Sequence, residues 1–490
     1  MVRSMTRRDW WILGGLTLAA LLLRLVYLGH PGEIIFDETY FAVFAQNYLT
    51  GTEFFDAEPP LGKFLIAGGE WLFGYDSFGW RLAPALFGTA VIPLMYLLAK
   101  RLFGGTVIPA FAGTLALLDG FLLVESRTAV LDGFVIFFNV LTYLLFFCSL
   151  QAKTRGAAYR WLAATGVALA LGLSLKWITL AFVAPAAGLL LLFAFRDRRR
   201  VRKFFKVRSG ASLLAALGVR KENLFRAEHY VAWLVIVPVI IYAAIFAAHV
   251  PFDSTGENAA GIHKQIWNYH HNLDATHPYG SDWYTWPAMV RPVAYYFKVV
   301  EGQWQGVIAM GNPVVWWGGA LAVLFAAVQL ARRRSLVLAF VLFAILAHYA
   351  PWAVIGRVLF IYHYAGALPF VILALAYALG SNWYWRPKDP WPQAAAWLGL
   401  LAANGVLGGL LLRSALGGSA GWFTAGTLLA GGATLWWALT KRPDWRWGKK
   451  QGVAFIALAL LAFVYFYPVW TGVGLDAADY ARRMWFKSWI

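Results

Sequence analysis

The chain has 490 residues, of which 60% are hydrophobic and only 13% are charged, and its mean hydropathy is +0.60. Soluble domains carry nearer a quarter charged residues, so a soluble enzyme is excluded. The net charge of +18 would suggest nucleic acid in a soluble protein, but here the basic residues lie at the ends of apolar runs and indicate membrane orientation, so no nucleic-acid partner is expected.

The apolar runs predict the fold class. A helix that spans the bilayer needs about 20 apolar residues. Runs of this kind lie near 10–28, 81–99, 105–124, 129–149, 159–175, 177–195, 230–249, 312–331, 335–355, 358–380, 394–413, 421–440 and 452–470. We therefore predict an all-α polytopic membrane protein with about 11 to 13 transmembrane helices. The first run is too long for a removed signal peptide and is expected to be a true helix.

Lysine and arginine are concentrated in alternate loops, which predicts the orientation. They precede the first helix and recur in every second connection, including the basic stretch 196–226, so the N-terminus should be cytoplasmic in the plasma membrane. The outer side then receives 29–80, 125–128, 250–310, 352–357 and 471–490, and with them the C-terminus. This divides the chain into an N-terminal membrane module, 1–249, an outer loop, 250–310, and a C-terminal membrane module, 311–490.

The first outer loop, 29–80, is rich in acids. Asp37 and Glu38 open it, and Asp56 and Glu58 follow shortly before Lys63. Adjacent acids are usually only part of a solvated loop. Here they border an aromatic-rich segment, 40–48, that is typical of an interfacial helix. Acids held beside apolar groups have raised pKa values and suit general-base work.

Three cations lie on the side that is otherwise poor in them. Arg127 ends the segment Glu125-Ser126-Arg127 ahead of Asp132, and Lys176 and Arg357 also lie at outer helix ends. Each could merely snorkel to the surface, or each could bind a lipid phosphate, which is the natural partner of a cation without an orientation role. Both interpretations stay open from the residues alone.

The outer loop 250–310 holds four of the nine histidines, between His263 and His277. A metal site therefore has to be considered. Zinc sites usually show helix-spaced histidine pairs or a cysteine complement, and neither is clear here. Since His270, His277 and Tyr279 lie among tryptophans and prolines, we interpret the segment as a substrate-binding loop for a protein acceptor, and we assign Asp56 and Glu58 of the first outer loop to the same acceptor side. No metal ligand is assigned, and a divalent cation is left open.

Distinctive motifs lie along nearly the whole chain. They are Phe36-Asp37-Glu38, Phe55-Asp56 with Pro59-Pro60-Leu61-Gly62-Lys63, Ser126-Arg127, Leu131-Asp132, Lys176-Trp177, Asn268-Tyr269-His270, His277-Pro278-Tyr279, Trp283 to Pro287, Gly311-Asn312-Pro313, Arg357 to Tyr364, and Met484 to Ile490. In this order they resemble the protein O-mannosyltransferases, membrane enzymes that move mannose from a polyprenyl phosphate to protein serine or threonine. The resemblance implies the GT-C fold, a helical bundle with its site on the outer face.

Two departures from the family pattern matter. Glu58 stands where the family usually has histidine, which puts a role for that position in doubt. The loop 250–310 is too short for the β-trefoil inserts of fungal and animal members, so the chain looks like a prokaryotic enzyme of the family.

The resemblance also implies roles for the site residues. Asp37 would be the base that activates the acceptor hydroxyl in an inverting displacement, and Glu38 would position the acceptor or support Asp37. Arg127 would hold the donor phosphate, with Lys63 and Arg357 for the same task. The partners would be polyprenyl-phosphate mannose and serine- or threonine-containing secreted or membrane proteins, with modification during translocation left open.

Two rival functions remain at this point. One keeps the GT-C fold and the polyprenyl-phosphate sugar donor but modifies a lipid or glycan acceptor. The other is a transporter or flippase, which predicts charges at the middle of helices and broken segments in matching halves. The conspicuous charges lie at outer helix ends instead, so the transferase is favoured.

Overall fold

The computed structural model describes residues 4–272, 276–383 and 447–489 and is predominantly helical, which confirms the predicted class. The helices are α1 (Arg7–Leu25), α2 (Glu38–Thr50), α3 (Leu61–Phe73), α4 (Ser77–Phe103), α5 (Val107–Leu117), α6 (Gly120–Arg127), α7 (Asp132–Gln151), α8 (Arg155–Leu173), α9 (Val183–Ala194), α10 (Arg199–Phe205), α11 (Gly210–Ala216), α12 (Ala227–Val231), α13 (Val237–Ala247), α14 (Ala259–His271), α15 (Pro313–Arg333), α16 (Leu336–Tyr349), α17 (Leu368–Trp383), α18 (Trp447–Thr471) and α19 (Ala477–Arg483).

Within these residues, eight helices are long and apolar enough to cross a membrane, or nine if the bent pair α5 and α6 counts as one span. The predicted runs 394–413 and 421–440 lie outside the described residues, so the total of 11 to 13 stays a prediction. Helix α7 is the most deeply buried of the spans, and it packs between α4 and α8 at the centre of the bundle.

The predicted apolar run 105–124 does not form one straight helix, because α5 and α6 meet at an angle of 57°. The break lies at Asp119, whose carboxylate accepts hydrogen bonds from the Leu122 amide at 3.0 Å and the Trp316 indole at 2.9 Å. The bond from Leu122 caps the N-terminus of α6, and the bond from Trp316 connects Asp119 to α15.

The outer loop 250–310 contains an antiparallel hairpin that was not predicted, with strands β1 (Val293–Val300) and β2 (Gln303–Ala309). Its two-residue turn, Glu301-Gly302, has φ values of 51° and 79°. Two left-handed residues are typical of the turn that matches the twist of paired strands.

The loops separate into two groups by contact. Phe54 in the first outer loop pairs with Asp253, and Trp304 in β2 pairs with Leu475 in the C-terminal tail. The three long segments predicted to lie outside therefore pack against one another.

The connections predicted to lie in the cytoplasm form the second group. The Gln151 amide donates to the backbone carbonyls of Arg101 and Leu217, at 3.0 and 2.7 Å. Lys206 donates to the carbonyl of Arg332 at 3.3 Å. Loops that are far apart in sequence thus meet on one face of the bundle.

Candidate active site

A cavity of about 960 Å³ lies where the first outer loop, α14 and the segment 352–366 meet. Its wall combines aromatic rings with an unusual number of ionisable groups. The ionisable lining residues, tyrosines aside, are Asp37, Asp56, Glu58, Asp132, Lys176, His270, His271, His277, Arg357 and His363.

Asp37 lies at the N-terminus of α2, and the chain before it is strained into position. Phe36 has φ of 47°, a left-handed conformation that side-chain-bearing residues rarely adopt. Its ring stacks on Tyr295 of β1 at 4.0 Å, which holds this turn in place. The Asp37 carboxylate caps no helix amide, and it has no hydrogen bond or ion pair with the described residues. It is therefore free to accept a proton from a ligand.

The surroundings of Asp37 suit a base. Burial raises the pKa of its carboxyl to about 6. Lys176 opposes this shift, while Asp132 and Glu58 add to it. A carboxylate with this pKa is ionised at neutral pH and is more basic than an exposed aspartate.

Glu38 does not line the cavity, although it is the next residue. It is fully buried and forms a two-pronged pair with Arg81, with N–O distances of 2.7 and 2.8 Å. It also accepts from the backbone amides of Ile35 and Ala129, at 3.0 and 2.9 Å. Because Arg81 donates to the carbonyl of Pro31 as well, this pair fixes the loop that carries Asp37.

Lys63 is also turned away from the cavity. Its ammonium is buried 2.5 Å from the Asp56 carboxylate and donates to the carbonyls of Pro59 and Glu58, at 2.6 and 3.0 Å. The pair therefore shapes the loop that presents Glu58, and the structure gives Lys63 no access to a donor phosphate in the cavity.

The structure likewise does not bring Arg127 to the cavity. Its guanidinium donates to four backbone carbonyls, those of Leu23, Arg24, Val26 and Tyr27, at 2.7 to 3.1 Å. The residue is 5% exposed. These contacts satisfy the carbonyls at the C-terminal end of α1, so the geometry favours a structural role.

The two cations in the cavity wall are Lys176 and Arg357. The Lys176 ammonium lies 2.8 Å from the Asp132 carboxylate. Burial lowers the pKa of Lys176, but the surrounding carboxylates raise it by more, so the ammonium stays charged. Arg357 donates from Nη1 to His270 Nδ1 at 2.5 Å, while its Nε is buried without a partner among the described residues.

Three residues of the outer loop 250–310 were predicted to bind substrate, and two of them lie in the cavity wall. His270 and His277 line the cavity, and His277 packs edge-on against Phe360 at 5.1 Å. Tyr279 lies outside the wall, under the guanidinium of Arg291 at 5.2 Å. In the part of the chain that is described, no group of three His, Cys, Asp or Glu side chains is arranged to hold a metal ion.

Two family models match this chain. "Dolichyl-phosphate-mannose-protein mannosyltransferase" matches residues 15–80 and 76–251, and "C-terminal four TMM region of protein-O-mannosyltransferase" matches residues 257–407. The chain belongs to the protein O-mannosyltransferase family. The resemblance carried by the sequence motifs is thereby confirmed.

Relatives of this family member span most of its length. The polyprenol-phosphate-mannose–protein mannosyltransferase of Corynebacterium glutamicum is 28% identical, over 88% of this chain and 81% of that protein. The Mycobacterium tuberculosis protein of the same name is 27% identical, over 77% of this chain and 82% of the relative.

Solved structures share the fold of this O-mannosyltransferase family member. The Saccharomyces cerevisiae Pmt1-Pmt2 complex bound to the sugar donor has a TM-score of 0.71 at 15% identity, covering 100% of this chain and 93% of that one. ArnT from Cupriavidus metallidurans bound to undecaprenyl phosphate has a TM-score of 0.58 at 15% identity, covering 97% of this chain and 79% of that one. The predicted GT-C fold is confirmed.

Sequence reasoning missed two residues that organise this candidate site. Arg81 lies near the start of α4, at an outer helix end like Lys176 and Arg357, so the same rule about cations on the cation-poor side could have found it. Tyr295, which donates to buried Glu125 at 2.6 Å and supports Phe36, carries no signal of its own, because its partners are far away in sequence.

Proposed function

We propose that this protein transfers mannose from polyprenyl-phosphate mannose to serine or threonine hydroxyls of proteins, with inversion at the sugar. One observation carries the proposal: a single cavity holds an unpaired carboxylate of raised pKa, Asp37, together with two cations, Lys176 and Arg357. Family membership supplies the donor and acceptor classes. Transfer of labelled mannose from the lipid donor to a threonine peptide by the purified protein tests it.

In the proposed reaction, Asp37 accepts a proton and the two cations stabilise the leaving group. The acceptor hydroxyl oxygen attacks the anomeric carbon while its proton passes to the Asp37 carboxylate. The bond from that carbon to the phosphate oxygen breaks, and the electron pair leaves with the polyprenyl phosphate. Lys176 and Arg357 stabilise the charge that develops on the leaving oxygen. One base and one displacement give inversion.

Other residues of the cavity wall are available to contact the sugar and the acceptor polypeptide. Aromatic side chains, among them Tyr40, Phe44 and Tyr362, offer ring faces to a sugar. The acceptor polypeptide is expected to approach over the segment 276–290, since His277 of this segment lines the cavity. Glu58, beside His270 at 3.9 Å, is available to orient the acceptor.

We further propose that the cavity faces the outside of the plasma membrane and that the N-terminus is cytoplasmic. The charge bias of the loops supports this orientation, as do the two separate groups of loop contacts. The acceptors would then be secreted or membrane proteins, met during or after translocation.

Cysteine labelling in a Cys148→Ser background checks the orientation. We expect a membrane-impermeant maleimide to label Glu257→Cys in intact cells and Lys203→Cys only after permeabilisation, since both side chains are exposed. Labelling in the opposite order would invert the topology and place the cavity in the cytoplasm.

A further inference from the structure

His270 joins three separate parts of the cavity wall. It lies in the last turn of α14, its Nε2 is 2.8 Å from the carbonyl of Ala57 in the first outer loop, and its Nδ1 is 2.5 Å from Nη1 of Arg357. No other residue named in the cavity wall is bonded to both of these segments.

The two contacts assign the protonation of the ring. Nε2 faces a carbonyl, so it carries the proton and donates. Nδ1 faces a guanidinium, which can only donate, so Nδ1 accepts. The neutral imidazole with its proton on Nε2 satisfies both partners at once. The ring therefore acts here as a rigid bridge and not as a base.

The Arg357 side chain makes fewer hydrogen bonds than those of Arg127 and Arg81, which have structural roles. Arg127 donates to four carbonyls, and Arg81 is held by a carboxylate and several carbonyls. Arg357 has only His270 as a hydrogen-bond partner in the described chain, and its buried Nε is unpartnered. Most of its donors are thus left for a ligand.

The backbone around Arg357 gives it little support. The residue lies between two short 3₁₀ helices, Ala350–Ala353 and Ile361–Gly366, and its neighbour Val354 is 86% exposed. A free arginine side chain has several rotatable bonds, and fixing it costs conformational entropy. A contact that holds Nη1 against α14 removes much of that freedom before the ligand arrives.

We propose that His270 is a positioning residue for the donor: it orients Arg357 so that the remaining N–H groups of the guanidinium meet the phosphate of the polyprenyl-phosphate sugar. The inference rests on the proposed function for the identity of the donor. It moves His270 from the acceptor loop, where its sequence context suggested it belonged, to the donor side of the cavity.

Two variants separate the two bonds of the ring. In His270→Asn the side-chain carbonyl lies near the position of Nδ1 and can still accept from Arg357, while the bond to Ala57 is lost. In His270→Gln the amide reaches the position of Nε2 and can still donate to Ala57, but no acceptor remains for Arg357. Arg357→Gln is the reference for complete loss, and Lys264→Gln, an exposed change on α14, is the control.

The measurement is the Kd of polyprenyl phosphate for the full-length protein in detergent, alongside the KM values for donor and peptide. We expect His270→Gln to weaken lipid binding on the order of tenfold, as Arg357→Gln does, because a charge-assisted contact is lost. His270→Asn should stay within a few-fold of wild type. The double variant His270→Gln/Arg357→Gln should be no weaker than Arg357→Gln, because both changes remove the same interaction. Peptide KM should not change.

Equal effects of the Asn and Gln variants on lipid Kd, or a change in peptide KM without a change in lipid Kd, would overturn the positioning role. Thermal unfolding of each variant shows whether it is folded, and the Asn variant keeps the test decisive if the Gln variant is not. Binding is measured without turnover. A wild-type protein that binds the lipid but transfers nothing to peptide would therefore defeat the proposed function alone.

Discussion

Replacing Asp37 with asparagine should lower the rate of mannosyl transfer by about 10² to 10⁴, the usual contribution of a positioned general base. The change keeps the size of the side chain and removes its basicity. Since the Asp37 carboxylate makes no hydrogen bond to the described residues, folding and donor binding should survive. The measurement is the turnover rate at saturating donor and peptide, with the Kd of the lipid determined separately.

The pH profile and two neighbouring acids serve as controls. Activity of the wild type should fall as the pH drops through about 6, because protonated Asp37 cannot accept the hydroxyl proton.

Asp56→Asn and Glu58→Gln should lower the turnover rate less than Asp37→Asn does, since Asp56 is paired with Lys63 and Glu58 departs from the family residue. An Asp37→Asn enzyme within a few-fold of wild type would end the single-base mechanism. A larger loss at Glu58 would move the base to that residue.

Replacing Arg81 with methionine should destabilise the protein by about 3 to 5 kcal/mol, because it leaves Glu38 buried without its charge partner. Both side chains of the pair are fully buried. The loop that carries Asp37 would lose its anchor at the same time. The free energy of unfolding in detergent, or the thermal midpoint, measures the effect.

An exposed ion pair provides the matched control. Arg226→Met removes the partner of Glu228 at a site where both side chains are mostly exposed, and it should cost less than about 1 kcal/mol. Adding Glu38→Gln to Arg81→Met should recover part of the loss by removing the uncompensated charge. A cost at Arg81 no larger than that at Arg226 would contradict the anchoring role of the pair.

The membrane fold could be predicted from the sequence because its signal is local. Each spanning helix must be apolar over its own length, so hydropathy alone marks the runs that became α4, α7, α15 and α18. The bend at Asp119 could not be predicted in this way, because it depends on hydrogen bonds from residues in α15. The hairpin of β1 and β2 could have been predicted, since β-branched and aromatic residues flank Glu301-Gly302 on both sides.

The candidate site was predicted in part. Asp37, Glu58, His270 and Arg357 were all identified as polar residues of outer segments, and the fold brings them to one cavity. Arg127, which was predicted to hold the donor phosphate, lies elsewhere, since its partners are carbonyls about a hundred residues away in the chain. A charge at a helix end shows where the residue sits relative to the membrane, but only tertiary contacts decide whether it faces a ligand or the backbone.

The central claim is a single displacement that carries mannose to a protein hydroxyl. The most direct measurement is to incubate the purified protein with polyprenyl-phosphate mannose of known anomeric configuration and a threonine peptide, and to determine the linkage in the product by mass spectrometry and NMR. The account predicts one mannose on the threonine oxygen with the anomeric configuration opposite to that of the donor. Retention of configuration, or mannose found only on a lipid or glycan acceptor, would contradict it.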